Sequence, residues 1–106
     1  MIDDRTGVGT TIVRVVIRGR VQGVGFRAWV ESMALQQGLE GWVRNLRDGA
    51  VEAVFCGPSD KVAMMLIACR QGPPAARVDG FEQWNGDNRI LASRRVGELF
   101  SVLPTA

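Results

Sequence analysis

A glycine-rich turn between a β-branched segment and a helical one constrains this chain more than any other feature. It spans residues 19–27, with the sequence GRVQGVGFR. Glycine allows positive φ, so consecutive backbone N–H groups can converge on one point, and the following helix adds the unpaired N–H groups of its first turn. A cation such as Arg27 in that first turn is unfavourable by about 0.3–1 kcal/mol unless an anion lies nearby. The turn therefore predicts an anion-binding site.

Length and composition indicate one globular domain. The chain has 106 residues, of which 46% are apolar and 23% charged, enough for a single hydrophobic core. We assign this domain to residues 11–106 and predict a flexible N-terminal segment over residues 1–10. The net charge of +2 is too small to indicate nucleic acid or an anionic membrane as a partner, and we expect a monomer.

The residue inventory excludes several kinds of chemistry. The sequence has no histidine and two cysteines, so it offers no imidazole base and no zinc or iron–sulfur ligand set, and we expect no metal site. Cys56 and Cys69 lie among apolar residues and are interpreted as reduced core thiols of a cytoplasmic protein, without the need for a disulfide. The acidic start lacks the apolar core of a signal peptide, and the longest apolar run, 62–69, is too short to span a bilayer.

Hydrophobic periodicity predicts the order of strands and helices. Apolar residues alternate over 11–18, with Val13, Val15 and Ile17 on one face, and recur at helical spacing after the glycine turn. A second amphipathic helix lies between Pro58 and Gly72. The predicted elements are strands at 11–18, 41–46, 50–56, 77–84 and 97–103, helices at 26–37 and between Pro58 and Gly72, and a polar excursion at 85–96.

The order β-α-β-β-α-β is that of an α/β (α+β) ferredoxin-like sandwich, a split βαβ arrangement in which two helices cover one face of an antiparallel-rich sheet. Asp48-Gly49 forms the hairpin between the second and third strands. A right-handed crossover makes the first two strands parallel, so the glycine turn and the end of the second strand lie at the same edge of the sheet. Asn45 is thereby brought to the predicted anion site.

Two blocks of this sequence resemble the acylphosphatase family. They are residues 16–27, VIRGRVQGVGFR, and residues 38–52, which include GLEGWVRN and DGAVE. Gly57-Pro58 before the second helix and residues 72–75 after it fit the same pattern. The resemblance covers residues 11–102. It implies the ferredoxin-like fold and a free-standing enzyme that hydrolyses the carboxyl–phosphate bond of acyl phosphates to a carboxylate and inorganic phosphate, without metal or cofactor.

The resemblance also implies roles for individual residues. Arg27, which ends the glycine turn, matches the family's phosphate-binding arginine, and Asn45 matches the asparagine that positions the attacking water. The backbone N–H groups expected to hold the remaining phosphate oxygens belong to Arg20, Val21, Gln22, Gly23, Val24 and Gly25. Such a site can suffice because the leaving carboxylate is already activated, and phosphoryl transfer needs mainly charge stabilisation and alignment. No partner beyond the acyl phosphate and its phosphate product is expected.

Other interpretations of the same residues compete with this one. The glycine turn also fits a dinucleotide-binding pattern, but the chain is too short for a doubly wound domain. An RNA-binding sheet would need aromatic residues on its open face, and the first strand has none. The alternative that we retain is a non-catalytic anion-binding or regulatory module. Three smaller questions also stay open: Asn45 as a turn residue that closes its strand, Trp42 as a packing residue, and Arg20, Arg44 and Arg47 as solvated charges rather than guides for anions.

Overall fold

The computed structural model describes residues 9–106, and the order of elements follows the sequence prediction. The predicted flexible segment of residues 1–10 lies outside the described residues except for its last two. The elements are β1 Thr10–Arg20, α1 Phe26–Gln36, β2 Glu40–Asn45, β3 Val51–Pro58, α2 Ser59–Gln71, β4 Arg77–Asn85, α3 Asn88–Leu91 and β5 Phe100–Val102.

The strands form one sheet in the order β4-β1-β3-β2-β5. β3 is antiparallel to both β1 and β2, β4 is antiparallel to β1, and the short β5 is parallel to β2. Because β1 and β2 both run opposite to β3, they are parallel to each other. Their C-terminal ends therefore lie at the same edge of the sheet, as the right-handed crossover predicts.

The two long helices pack on one face of the sheet, as the sequence predicts. On β1 the alternate residues Val13, Val15 and Ile17 are buried, because successive side chains of a strand point to opposite faces. The helices contribute residues three or four positions apart, which share one side of a helix. The rest of this core consists of Val21, Phe26, Val30, Ala34, Leu39, Val43, Val51, Ala53, Phe55, Val62, Met65, Cys69 and Phe100.

The opposite face of the sheet is partly covered by the segment that the sequence predicts only as a polar excursion. α3 lies within residues 85–96, and Ile90 and Leu91 pack there with Trp42 and Val54. Trp42 is 2% exposed, and its indole N–H donates to the carbonyl oxygen of Ile90 at 2.8 Å. Trp42 is therefore a packing residue. Periodicity does not predict α3, since four residues are too few to show a helical repeat.

A buried carboxylate on the same face lies between two arginines. Glu52 of β3 accepts hydrogen bonds from Nε of Arg14 on β1 at 2.6 Å and from Nε of Arg44 on β2 at 2.7 Å. Its side chain is only 5% exposed, and a carboxylate so far removed from water requires such partners. The three side chains tie the central strands together. Arg44 is thus engaged in an ion pair rather than being a simple solvated charge.

The two cysteines are buried and unpaired. Cys56 lies in the cluster on the α3 side of the sheet, and Cys69 lies in the core beneath the long helices, so the sheet separates them. Burial raises the pKa of the Cys69 thiol to about 12 and also raises the pKa of Cys56. Both are neutral core thiols at neutral pH, in agreement with the sequence interpretation.

Because β2 approaches β3 closely at Gly41, we predict that a methyl group added at this residue strongly lowers the stability of the fold. Gly41 has φ +145°, and a Cβ there would lie 1.8 Å from the carbonyl oxygen of Val54. We expect Gly41→Ala to lower the free energy of unfolding by about 4 kcal/mol, because β2 must move away from β3. Gly49→Ala is the control, since Gly49 has φ +100° but no atom within 4 Å of the added Cβ. Its cost should be about 1–2 kcal/mol of backbone strain. Urea unfolding measures both, and equal losses would contradict the steric explanation.

Candidate active site

The loop between β1 and α1, residues 21–25 and called the cradle from here on, has the backbone geometry of an anion-binding turn. Gly23 has φ +74° and Gly25 has φ +79°, whereas no non-glycine residue among residues 9–106 has positive φ. The sign of φ therefore alternates from Gln22 to Gly25, a pattern in which successive N–H groups form a concave surface for an anion. A Cβ on either glycine would meet no atom within 4 Å, so conformation rather than space requires glycine here.

α1 begins directly after the cradle and adds to its positive potential. Gly25 is the N-cap in left-handed conformation, no side chain caps the helix, and no acidic residue occurs in its first turn. The unpaired N–H groups and the positive end of the helix dipole are therefore not offset by a carboxylate on the helix itself. This is the arrangement in which helix N-termini bind phosphate and related anions.

Arg27 is the second residue of α1 and is half-buried. Its guanidinium forms no ion pair with any of residues 9–106, in contrast to Arg14, Arg44 and Arg94. A cation beside a helix N-terminus without a counter-ion is electrostatically unfavourable. The planar guanidinium can bind two oxygens of one phosphate at once, which would remove this conflict.

Asn45 ends β2, and its backbone is held on both sides. It pairs with Val51 of β3, and its carbonyl accepts a hydrogen bond from the N–H of Ala106 at 3.0 Å. Its side-chain Oδ1 is the one buried side-chain nitrogen or oxygen atom in the described part of the chain that has no hydrogen-bond partner. A buried acceptor without a partner costs about 1–3 kcal/mol, so its presence in a folded protein indicates a role beyond packing.

Arg27, Asn45 and most of the cradle line one pocket of about 300 Å³. Its walls are formed by Val21, Gln22, Gly23, Gly25, Phe26, Arg27, Ala28, Asn45 and Val102. Two of the predicted backbone donors, Arg20 and Val24, are not among them. Arg20 lies within β1 and pairs with Arg77 of β4, and Val24 packs against the hydrophobic core. The other predicted site residues meet in this pocket.

Sequence reasoning missed two contributions to this site. Val102 of β5 pairs with Val43 of β2 and forms part of the pocket wall. Gln22, predicted only as a backbone donor, also uses its side-chain amide, which donates to the carbonyl oxygens of Leu46 and Ala50 at 2.7 and 2.8 Å. A long polar side chain inside a glycine-rich turn is a signal that could have drawn attention to this amide.

The polar side chains in the pocket wall are one guanidinium, that of Arg27, and two carboxamides, those of Gln22 and Asn45. Across residues 9–106, no three His, Cys, Asp or Glu side chains are grouped so that they could hold a metal ion.

None of the helices in this part of the chain has the length and apolar character needed to cross a bilayer.

The fold and the pocket define a small α/β sandwich with a pocket suited to an anion at one edge of its sheet. The family model for acylphosphatase matches residues 13–94. An acylphosphatase from Bradyrhizobium diazoefficiens is 58% identical over 94 residues, which cover 89% of this chain and 95% of the relative. The solved structure of an acylphosphatase from Coxiella burnetii has a TM-score of 0.76 and 33% identity, covering 89% of this chain and 93% of that one. An acylphosphatase structure from Bacillus subtilis has a TM-score of 0.75 and 31% identity, covering 90% and 99%.

The chain therefore belongs to the acylphosphatase family, as the two sequence blocks indicate. It is an enzyme that hydrolyses acyl phosphates to a carboxylate and inorganic phosphate. The ferredoxin-like fold predicted from the order of elements is confirmed by the same structures. The alternative of a non-catalytic binding module is not favoured.

Proposed function

We propose that the pocket is the active site, in which the cradle and Arg27 bind the phosphate of the acyl phosphate and Asn45 orients the attacking water. The observation that carries this proposal is the convergence of two unfavourable features in one pocket of about 300 Å³. Arg27 has no ion pair, and Asn45 Oδ1 has no hydrogen-bond partner, within residues 9–106. An anion would satisfy the first, and a hydrogen-bond donor such as water would satisfy the second.

The phosphate would be held mainly by charge and by oriented N–H groups. Val21, Gln22, Gly23 and Gly25 line the pocket next to the positive end of the α1 dipole, and their backbone amides would donate to the phosphate oxygens. Arg27 supplies a two-pronged donor to two further oxygens. Negative charge on the phosphoryl oxygens persists as the bond to the carboxylate breaks, so donors that are already oriented lower the barrier without reorganisation.

Asn45 acts on the water, because a carboxamide cannot remove a proton at neutral pH. Its carboxamide would form a hydrogen bond with the water and turn the water lone pair toward phosphorus. The water oxygen then forms a bond to phosphorus, and the bond between phosphorus and the acyl oxygen breaks. The electron pair of that bond leaves with the carboxylate, and the proton of the water passes to a phosphate oxygen. The products are a carboxylate and inorganic phosphate.

The apolar part of the pocket suits a short acyl group. Val21, Phe26, Ala28 and Val102 add carbon surface to the polar wall formed by the cradle. A pocket of about 300 Å³ is at the small end of the range for small-molecule sites. We therefore propose small acyl phosphates as the substrate class.

We further infer that the enzyme acts as a monomer in the cytoplasm, without a nucleic-acid or membrane partner. Both cysteines are free and buried, and the chain contains no disulfide. Free thiols of this kind are typical of proteins in a reducing compartment.

Hydrolysis of an aryl acyl phosphate tests the proposed function directly. We expect turnover well above the spontaneous rate, unchanged after exhaustive chelation because the proposed site uses only protein donors. Inorganic phosphate should inhibit competitively, since it would occupy the same cradle. A rate equal to the spontaneous one would contradict catalysis. Strict dependence on Mg²⁺, or indifference to phosphate, would contradict the proposed site.

Arg27→Lys tests the bidentate contact. A lysine keeps the charge but not the planar pair of donors, and the loss of one oriented donor lowers rates by about 10²–10³-fold, so we expect kcat/KM to fall by that factor. Arg89→Lys is the matched control, because the Arg89 side chain is 92% exposed and, among residues 9–106, pairs with Asp87 alone. It should leave turnover unchanged. Circular dichroism should show both variants folded, and near-normal kcat/KM in Arg27→Lys would remove Arg27 from the site.

The variant Asn45→Ala distinguishes two roles for Asn45, orientation of the attacking water and termination of strand β2. If Asn45 orients the water, kcat should fall by about 10²-fold, while the dissociation constant of inorganic phosphate changes by less than about 3-fold. The melting temperature should stay the same or rise, because the buried unpartnered Oδ1 is removed. Closure of the strand predicts the opposite pattern, with a lower melting temperature and near-normal turnover. Kinetics, calorimetric phosphate binding and melting on one preparation decide between the two roles.

A further inference from the structure

We infer that Gln22 is a positioning residue that sets the distance between the cradle and Asn45, an inference that rests on the roles proposed above for both. Its carboxamide nitrogen donates to the carbonyl oxygen of Leu46 at 2.7 Å and to that of Ala50 at 2.8 Å. A carboxamide has two N–H donors, and both are used in these contacts. The side chain therefore has no donor left for a phosphate, and it acts on the site through the residues that it connects.

The sheet itself does not connect the cradle to the turn that follows Asn45. Pairing between β1 and β3 extends only as far as Ile17 and Val51. Beyond that point, the last residues of β1 pair with β4, on the side away from β2. The cradle thus continues from a stretch of strand that has left β3, and it contains two glycines with high conformational freedom.

Gln22 bridges this gap at the residues next to Asn45. Leu46 directly follows Asn45, and Ala50 is the residue hydrogen-bonded to Leu46 across the turn, with its carbonyl oxygen 2.8 Å from the Leu46 nitrogen. One carboxamide therefore holds the cradle against both ends of the turn that follows Asn45. An exposed ion pair at 2.9 Å also joins Arg18, near the end of β1, to Asp48 of the same turn.

The turn does not need Gln22 in order to form. The carbonyl oxygen of Leu46 also accepts the N–H of Gly49 at 3.1 Å, and that of Ala50 accepts the N–H of Leu46. Removal of the Gln22 amide thus leaves neither carbonyl without a partner, and the loss of stability should be small. What is lost is the fixed spacing between the phosphate donors and the residue that aims the water. Misplacement of reacting groups by about 1 Å can lower a rate by about 10²-fold.

Gln22→Met is the first test, since methionine has a similar length and no hydrogen-bond donor. We expect kcat to fall by about 10²-fold, with less than about a 3-fold change in the dissociation constant of inorganic phosphate and little change in melting temperature. Gln36→Met is the matched control, because the Gln36 amide is exposed and reaches only Ser32 on its own helix at 3.5 Å. It should have normal kinetics. A normal kcat for Gln22→Met, or a loss confined to KM, would overturn the inference.

The double variant shows whether Gln22 acts through Asn45. In the Asn45→Ala variant the group that orients the water is already missing. The distance between residue 45 and the cradle therefore has little further effect on the rate. We therefore expect Gln22→Met to lower kcat by less than about 3-fold in the Asn45→Ala background, far below its effect alone. An equal fold-loss in both backgrounds would show that Gln22 acts independently of Asn45 and would overturn the inference.

A measurement that needs no turnover separates this inference from the proposed function. The side-chain amide resonances of Asn45 in the nuclear magnetic resonance spectrum should shift and broaden in Gln22→Met, because the turn that follows Asn45 loses its tether to the cradle. Gln36→Met should leave them unchanged. Failure of the unaltered protein to hydrolyse acyl phosphates would contradict the proposed function, whereas unchanged Asn45 resonances in Gln22→Met would contradict the positioning role.

Discussion

The pairing of β3 with both β1 and β2 determines where each part of the site can lie. Because β3 is antiparallel to both neighbours, β1 and β2 finish at the same edge, and the cradle and Asn45 follow from those two ends. β3 is buried on both faces, with Ala53 and Phe55 under the helices and Val54 under α3. Its charged residue, Glu52, can be buried because each of the two neighbouring strands supplies an arginine that forms an ion pair with it.

The site concentrates features that are unfavourable for a folded chain. A helix N-terminus without a carboxylate, a cation beside it and a buried oxygen without a partner all lie around one pocket. The folded state tolerates each of these features because the packing of the two long helices on the sheet stabilises the rest of the molecule. In the proposed complex, an acyl phosphate and a water molecule would supply the groups that these features lack, so the pocket would be better matched to the reacting complex than to the free protein.

Rigidity around Asn45 comes from several directions. β3 holds its backbone from one side, and the segment after β5 holds it from the other through the N–H of Ala106, while the N–H of Leu103 donates to the carbonyl of Val43 earlier in β2. The cradle, in contrast, is a glycine-containing loop whose preceding strand has already diverged from β3. The side chain of Gln22 connects this loop to the turn that follows Asn45. The proposed alignment of donors and water therefore depends on a side chain that need not contact the substrate.

Local features of the sequence determined most of the fold, including the glycine turn that forms the cradle and the position of Arg27 directly after it. Glycine conformation, helix N-terminal electrostatics and the periods of strands and helices are properties of neighbouring residues, so the cradle, Arg27 and the element order could be predicted from the chain alone. The approach of Asn45 to the cradle followed from the handedness of the crossover. Tertiary structure decided the amide contacts of Gln22, the place of Val102 in the pocket wall and the divergence of Arg20 toward β4. These depend on the register of strands distant in sequence and on how far each side chain reaches, which no local pattern encodes.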